Sequence, residues 1–365
     1  MSDRFSPLHS LHVAAGASFT DFAGWQMPVS YGSDLAEHHA VRTSAGIFDI
    51  SHMAEIRVDG PDAADFLDYA LAGKLSAIAP LQAKYSLLLD ENGGIIDDLV
   101  VYRGGDRPFA FLIVANAGNR QPVMMALQER AANFKVAISD ESDQVSLIAV
   151  QGPLSRGIVE KVIGDDLSEL KYYWGHETTW NGGRCFVART GYTGEDGFEL
   201  YVSVGAAVDL WKALVAAGGE QLSPAGLASR DTLRLEAGMP LYGHELGVDT
   251  FPVQAGLGRV VALAKEGDFV GRSAIEAGPA SDARQLVGLT TEGKRAGRAG
   301  YPVFDGDREV GVITSGALSP TLGYPIAMAY VDPDAVESTS LAIDVRGTRI
   351  PATVTTLPFY KRAAK

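Results

Sequence analysis

The chain has 365 residues, of which 46% are hydrophobic and 21% charged, and its formal net charge is −14. These values are ordinary for a globular protein of two or three domains, and the acidic balance argues against nucleic acid as a main partner, because phosphate binding needs a basic surface. The single cysteine, Cys185, cannot form an intramolecular disulfide, which fits a reducing compartment. No signal-peptide core and no apolar run of membrane-spanning length is present, so we expect a cytoplasmic protein without a membrane partner.

The first 135 residues predict a mixture of helices and strands. Pro61 is expected at the first position of a helix, where its missing N–H costs nothing. The predicted helices cover residues 33–44, 61–72 and 122–134, and predicted strands begin at residue 46 and cover residues 54–58.

Residues 85–116 hold three apolar runs separated by two polar, glycine-rich breaks. The first break contains Asn92-Gly93, which favours a tight hairpin because both residues tolerate a positive φ. The segment therefore predicts a three-stranded antiparallel meander, whose third strand begins at Phe109.

Two carboxylates, Asp97 and Asp98, lie inside the apolar middle strand, where an unpaired charge is costly. Because side chains alternate between the faces of a strand, Asp98 is expected to share a face with Tyr102, and Asp97 with Leu99. Either carboxylate could bind a backbone amide or an arginine. The alternative is that Asp98 and Tyr102 form the wall of a ligand site.

The next 140 residues predict strands at 145–150, 184–190 and 198–202, the last two joined by a glycine-rich hairpin. Helices are expected over 151–163, 206–217 and 225–237, with Ser223 as the N-cap of the third and Pro224 at its first position. A loop should then lead to a strand at 260–263 and a short helix at 273–277. Six closely spaced strands follow, which favours a small β-barrel or sandwich (residues 286–290, 301–304, 309–315, 326–331, 340–345 and 348–355).

Known catalytic and nucleotide-binding motifs are absent, since the chain has no phosphate loop, no Gly-x-Ser-x-Gly and no third glycine after Gly256 and Gly258. Metal binding is not expected without a His or Cys cluster. Asp49 and His52 could be ligands or a dyad, and a structural hydrogen bond is the simpler hypothesis for His52. Carboxylate, aromatic, amide and arginine side chains remain as candidates (Asp98, Glu199, Tyr85, Tyr102, Tyr192, Asn116 and Arg230).

Each candidate also has an ordinary structural interpretation. A strand tyrosine is often core, a glutamate between apolar residues is often paired, and Arg230 could pair with Asp231 or Glu236. Taken together, however, six motifs closely resemble the folate-binding family of glycine cleavage T-proteins, in order along the chain. They are Phe22-Ala-Gly-Trp-Gln-Met-Pro, Gly46-Ile-Phe-Asp-Ile-Ser-His-Met, Gly93-Gly-Ile-Ile-Asp-Asp, Gly191-Tyr-Thr-Gly-Glu-Asp-Gly-Phe-Glu, Ala228-Ser-Arg-Asp-Thr-Leu-Arg-Leu-Glu-Ala-Gly and Pro358-Phe-Tyr.

The resemblance implies an α+β fold with three domains in a cloverleaf around a central folate funnel. We expect a discontinuous α+β domain (1–53 and 140–280), an α+β domain with the meander (54–139) and a C-terminal β-barrel (281–365). Carried over by position, the family's catalytic aspartate is Asp98. Its folate-binding residues are Glu199, Arg230, Tyr85, Tyr102, Asn116, Tyr192, Met53 and Arg362.

The implied reaction moves the methylene carbon of an aminomethyl group, held on the lipoyl arm of the H-protein, to tetrahydrofolate with release of ammonia. It requires no metal and no flavin. A carboxylate such as Glu199 can accept two adjacent pterin N–H donors, and a carboxylate near N5 and N10 can stabilise positive charge and relay protons.

Three alternative functions occur among relatives with the same folate-binding fold. The first is a folate-dependent demethylase of a sulfonium or methylamine, which would not need a lipoyl carrier. The second is a non-enzymatic folate-binding assembly factor for iron–sulfur enzymes, whose cysteine motif is replaced here by Gly191-Tyr-Thr-Gly-Glu-Asp. The third is the folate half of a sarcosine- or dimethylglycine-type dehydrogenase, whose flavin domain this sequence lacks.

Overall fold

The computed structural model describes residues 4–105 and 110–363. Its first elements build a small three-stranded sheet of order β1-β3-β2 and lead into a larger sheet through β4. Ser33 caps α2 by accepting a hydrogen bond from the backbone of Ala36, which confirms the helix expected there. The elements are β1 (Arg4–Phe5), α1 (His9–Ala14), β2 (Ser18–Phe22), β3 (Trp25–Ser30), α2 (Asp34–Thr43) and β4 (Ala45–Asp49).

A five-stranded sheet of order β6-β7-β8-β5-β9 follows. Strands β6, β7 and β8 are antiparallel neighbours, so the meander is confirmed, and Gly93 has the positive φ of +86° that the hairpin needs. Phe109, the expected start of the third strand, lies outside the described residues. The elements are β5 (Ala54–Asp59), α3 (Ala63–Ala70), β6 (Ala83–Leu89), β7 (Ile95–Arg103), β8 (Phe111–Ala115), α4 (Arg120–Arg130) and β9 (Ala137–Asp140). Helix α3 thus begins after Pro61, which lies in the preceding turn.

A six-stranded sheet has the order β11-β12-β13-β10-β4-β14, so β4 joins strands that lie one hundred or more residues later in the sequence. Its remaining elements are β10 (Val145–Gln151), α5 (Ser155–Ile163), β11 (Gly175–Trp180), β12 (Gly183–Ala188), β13 (Gly197–Ser203), α6 (Ala207–Gly218), β14 (Leu222–Pro224) and α7 (Leu227–Glu236). The expected N-cap at Ser223 is wrong. Ser223 and Pro224 pair with β4 as a parallel strand, and Gly226 is the N-cap of α7.

The segment after α7 is mostly irregular and contains α8 (Arg272–Ala277), as expected. The strand predicted at residues 260–263 is wrong. Residues Gly258–Val260 form a short 3-10 helix instead, because the amide of Val260 bonds within its own turn to the carbonyl of Leu257.

Six strands close into a barrel of order β15-β18-β17-β16-β19-β20, which confirms the expected C-terminal barrel. They are β15 (Gln285–Thr291), β16 (Pro302–Asp305), β17 (Arg308–Leu318), β18 (Pro325–Val331), β19 (Leu341–Val345) and β20 (Thr348–Thr355). Alternating apolar residues fill its interior, for example Leu289, Ile313 and Ile343.

Helix α7 is the element against which the barrel packs. Leu235 of α7 joins Ile326 and Met328 of β18 in a small buried cluster. None of the described helices combines the length and apolarity that crossing a bilayer requires. The α+β architecture is as expected, whereas the domain boundaries drawn from the sequence stay a prediction.

Candidate active site

A cavity of about 350 Å³ lies where the two larger sheets meet helix α7. Glu199 on β13, Asp98 on β7 and Arg230 on α7 contribute to its wall, and residues 238–242 after α7 extend it. Small-molecule sites commonly measure about 300–1,000 Å³, so the cavity has room for a compact ligand. Among the described residues, those that line it all precede the C-terminal barrel.

Asp98 projects from β7 into this cavity. Its carboxylate accepts hydrogen bonds from the hydroxyl of Tyr85 (3.0 Å) and from Nδ2 of Asn116 (2.8 Å). Burial raises the pKa of Asp98, and these two hydrogen bonds oppose the rise. An aspartate with a raised pKa exchanges protons more readily near neutral pH than an ordinary one, which suits general acid–base chemistry.

Asp97 points to the opposite face of β7, as strand alternation predicts, and is fully buried. It accepts hydrogen bonds from the backbone and side chain of Asn116 (3.0 and 2.8 Å) and from Nδ2 of Asn119 (2.6 Å). Burial and then the charge of Asp98 raise the pKa of Asp97 to about 7. Because Asn116 donates to both carboxylates, Asp97 fixes the amide that holds Asp98.

Glu199 lies in the middle of β13 and reaches the cavity from the six-stranded sheet. The hydroxyl of Thr190 donates a hydrogen bond of 2.6 Å to Oε2 of Glu199. Burial raises the pKa of Glu199, while Thr190 and the nearby charge of Arg230 lower it. The carboxylate therefore keeps unused hydrogen-bonding capacity toward the cavity.

Arg230 faces the cavity from α7, with its guanidinium carbon 5.0 Å from the ring centre of Tyr192. The structural alternative, a pair with Asp231 or Glu236, is wrong. Asp231 pairs with Arg234 at 2.7 Å, and Glu236 pairs with Arg42 at 2.8 Å. Burial lowers the pKa of Arg230, which indicates a cation that an electron-rich ligand would stabilise.

Seven of the nine predicted site residues line the same cavity (Asp98, Glu199, Arg230, Tyr85, Asn116, Tyr192 and Met53). Tyr102 and Arg362 do not. Tyr102 is fully buried behind the wall, where its hydroxyl lies 3.0 Å from Oγ1 of Thr190, so the ligand wall expected of Asp98 and Tyr102 does not form. Arg362 lies 3.6 Å from Asp196 and is partly exposed.

His52 lines the cavity although the sequence favoured a structural hydrogen bond for it. It is 4% exposed, and its Nδ1 has no partner among the described residues. Burial and Arg230 lower the pKa of His52 to about 4, so the ring is neutral at pH 7. The proposed partner, Asp49, instead binds His12 at 2.8 Å. In the sequence, the position of His52 just after a buried strand was the feature that could have indicated a place in the site.

Over the described ranges, no group of three or more His, Cys, Asp or Glu side chains is arranged to hold a metal ion. Cys185 lies in the core, and burial raises the pKa of its thiol to about 12, so a reactive thiolate does not form there near neutral pH. The described residues that line the cavity offer carboxylates, hydroxyls, an amide, one imidazole (His52) and two guanidinium groups (Arg230 and Arg234).

Two family models match nearly the whole chain. The model described as "GCVT N-terminal domain" matches residues 8–265, and the model described as "Glycine cleavage T-protein C-terminal barrel domain" matches residues 284–361. The second match coincides with the closed barrel, and the first contains every residue that lines the cavity.

Similar proteins match over their full length. A protein named Aminomethyltransferase from Cutibacterium acnes is 58% identical, over 99% of this chain and 99% of its own, and one from Saccharopolyspora erythraea is 53% identical over 100% of both. A crystal structure of glycine cleavage system aminomethyltransferase T from Bartonella henselae has a TM-score of 0.91 at 38% identity and covers 99% of both chains. This chain belongs to the glycine cleavage T-protein family.

Proposed function

We propose that this chain is the aminomethyltransferase of a glycine cleavage system. It moves the methylene carbon of an aminomethyl group from the lipoyl arm of the H-protein to tetrahydrofolate and releases ammonia. Family membership over the whole chain supports this assignment. The structural observation that carries it is one cavity that brings together Asp98, Glu199 and Arg230, each with a pKa moved toward neutrality by burial.

The residues of the cavity fit a reduced folate. Glu199 accepts one side-chain hydrogen bond from the described part of the chain, at Oε2, and can accept the adjacent N–H donors of a pterin side by side. Tyr85 and Tyr192 offer aromatic surface to a flat ring. Arg230, which is half-buried without an ion-pair partner among the described residues, can receive the electron-rich oxygens of folate. These three kinds of group would select and orient the pterin.

Asp98 is the residue that we assign to proton handling. When bound, tetrahydrofolate supplies N5 and N10, which take up the carbon, and their two protons end on the ammonia and on the freed lipoyl thiol. Asp98 can hold a proton or stabilise adjacent positive charge, because burial raises the pKa of its carboxyl. Hydrogen bonds from Tyr85 and Asn116 hold that carboxyl in place.

His52 supplies a second polar group within the same cavity. Because its ring is neutral at pH 7, it offers one donor nitrogen and one acceptor nitrogen for hydrogen bonds to a bound ligand. The apolar residues Ile50, Val114 and Leu147 line the space around these groups and exclude water, which strengthens their electrostatic effects.

We further propose the domain division drawn from the sequence: residues 1–53 with 140–280, residues 54–139, and residues 281–365. The sheets follow it, because β4 pairs with β10 while β5 pairs with β8. The partner would be the lipoylated H-protein, and a reducing cytoplasm suits the single buried thiol of Cys185.

Ammonia release from aminomethylated H-protein, measured with and without tetrahydrofolate, tests the function. We expect rapid release that depends on tetrahydrofolate and yields methylenetetrahydrofolate in equal amount. Release at the same rate without folate would overturn the folate-dependent mechanism. Turnover of a free sulfonium or methylamine in place of the H-protein would favour the demethylase alternative.

A further inference from the structure

A hydroxyl chain formed by Tyr201, Tyr102 and Thr190 ends on Glu199, and Tyr201 and Thr190 line the cavity whereas Tyr102 lies behind it. The hydroxyl of Tyr201 lies 3.2 Å from that of Tyr102, which lies 3.0 Å from Oγ1 of Thr190, which lies 2.6 Å from Oε2 of Glu199. The three hydroxyl residues are 5%, 0% and 4% exposed, so bulk water does not compete for these hydrogen bonds.

When Glu199 is ionised, it fixes the direction of every hydrogen bond in the hydroxyl chain. A carboxylate can only accept, so Thr190 gives its single proton to Glu199. Thr190 must then accept from Tyr102, and Tyr102, whose proton is used, must accept from Tyr201. Three O–H dipoles therefore point toward one carboxylate, and hydrogen bonds in such a series strengthen one another.

Within the hydroxyl chain, Tyr102 is the residue that connects the two larger sheets. It lies on β7, whereas Thr190 follows β12 and Tyr201 lies on β13. Its ring packs edge-on against Phe186 and Tyr201, with centroids 5.4 and 5.8 Å apart, which holds the hydroxyl in place. Because Tyr102 does not line the cavity, its effect on a ligand must pass through its hydrogen-bonded neighbours that do, Thr190 and Tyr201, and of these Thr190 bonds to Glu199.

We propose that Tyr102 is a positioning residue: as the middle member of the hydroxyl chain, it orients Thr190 so that Glu199 stays ionised and faces the cavity. The role of Glu199 toward folate rests on the proposed function, but the effect of Tyr102 on the ionisation of Glu199 does not. This role differs from the direct folate contact that the family resemblance implied for Tyr102.

Several other groups face Glu199. Arg230 approaches from α7, Tyr172 and Tyr173 from the loop before β11, and Tyr201 from its own strand. Of these, Arg230 lowers the pKa of Glu199, as Thr190 does, against the larger effect of burial, which raises it. Loss of the hydroxyl chain should therefore raise the pKa of Glu199, and the carboxylate would form only at higher pH.

Titration of Glu199 in the ligand-free protein tests the proposal directly. In protein labelled with ¹³C at glutamate carboxyls, the Glu199 signal is the one that Glu199→Gln removes. We expect Tyr102→Phe, which deletes one oxygen and keeps the ring, to raise the pKa of Glu199. Thr190→Val should raise it further, and Thr190→Ser, which retains the hydroxyl, should restore the wild-type pKa.

Tyr330→Phe is the matched control, because it removes a half-buried tyrosine hydroxyl that donates to the carbonyl of Glu245 at 2.7 Å, outside the hydroxyl chain. Its Glu199 signal should titrate as in the wild type. If Tyr102→Phe does not fold, Tyr201→Phe breaks the chain one link earlier and should produce a smaller rise. An unchanged pKa of Glu199 in the folded variant would overturn the proposal.

Binding of tetrahydrofolate gives a second measurement. Tyr102→Phe should weaken binding at neutral pH by about 3- to 10-fold, the value of one hydrogen bond, and the loss should shrink as the pH rises. A pH-independent loss would indicate direct contact and overturn the positioning role. If the wild type binds no folate, the proposed function fails, while the ligand-free titration still decides the role of Tyr102.

Discussion

Helix α7 carries a cluster of charged side chains at each end, and the pKa values of the carboxylates in the two clusters are shifted in opposite directions, although burial raises the pKa in both. At its first turn, Arg230 faces the cavity with Asp98 and Glu199, and burial raises the pKa of both acids. At its last residue, Glu236 lies in a cluster with His38, Arg42, Ser319 and Thr321, and the pKa of Glu236 is lowered to about 2.

The difference lies in how completely each carboxylate is bonded. Glu236 accepts from Arg42 (2.8 Å) and the hydroxyl of Thr321 (2.8 Å) at Oε2, and from the Thr321 amide (3.0 Å) and Ser319 at Oε1. Among the described residues, the Asp98 carboxylate accepts from two donors, both of them neutral. A buried charge that is fully bonded holds the fold together, whereas one that is left partly bonded is available for chemistry.

The largest expected effect is on turnover, and it follows from a substitution in the cavity. Asp98→Asn should lower kcat by about 10²- to 10⁴-fold, the range for loss of a general acid–base group, while folate binding persists. The amide oxygen can still accept from Tyr85, so the fold should be retained. Ammonia release and folate affinity, measured on the same preparation, check this expectation. Wild-type turnover in the variant would remove Asp98 from the mechanism.

A matched pair of arginine substitutions tests the comparison through stability. Arg42→Met leaves Glu236 without its cation and should cost about 3–5 kcal/mol in the free energy of unfolding. Arg230→Met breaks no ion pair among the described residues and should cost less than about 1 kcal/mol while weakening folate binding. Urea denaturation of both variants gives the two values. Equal losses would show that the clusters do not differ as we infer.

The local pattern of the sequence made the carboxylates of β7 candidates for a ligand site, and the family resemblance then selected Asp98. The Asn92-Gly93 turn fixed the hairpin, and alternation along β7 placed Asp97 and Asp98 on opposite faces. The local pattern could not predict how deeply the Tyr102 side chain is buried. Alternation gives the face of the strand on which a side chain lies, but not the distance of that side chain from a cavity. Tyr102 lies under Tyr201, a residue of another sheet.

The Glu236 cluster could not be predicted in the same way, because its members come from distant parts of the chain. His38 and Thr321 both contact Glu236, and no local periodicity connects residues so far apart. The strand at Ser223-Pro224 was missed for a related reason. A Ser-Pro pair is typical of a helix start, and here pairing with β4 outweighs that preference.

The pH dependence of the free energy of unfolding should show whether ionised Glu236 stabilises the folded protein. Glu236 has a folded pKa of about 2 against an ordinary value of 4.5, so it stabilises the protein above pH 4.5 and this stability is lost as the pH falls toward 2. The shift corresponds to about 3 kcal/mol. Urea denaturation at neutral pH and at about pH 3 measures the loss. Glu236→Gln should show a smaller loss than the wild type, and an equal loss would assign the effect to other acids.

Substitution of the second cavity carboxylate should affect binding rather than stability. Glu199→Ala removes the acceptor that we assign to the pterin and should weaken folate binding by roughly 10- to 100-fold, as expected for hydrogen bonds to a charged group. Its pKa is raised in the folded protein, so ionised Glu199 does not stabilise the fold. Isothermal titration calorimetry measures the affinity. An unchanged dissociation constant would place the pterin elsewhere.

The smallest effect concerns the two neighbouring aspartates. The pKa of Asp97, about 7, is raised first by burial and then by the charge of Asp98. Asp98→Asn removes that charge, so the pKa of Asp97 should fall toward its ordinary value of 3.8 without reaching it, since Asp97 stays buried. Carboxyl ¹³C titration of aspartate-labelled protein measures the change, with Asp97→Asn to assign the signal. An unchanged pKa would mean that the two carboxyls titrate independently. A fall would show that the two carboxylates, which both accept from Asn116, repel each other when ionised. Glu236 differs, because its charge is balanced by Arg42.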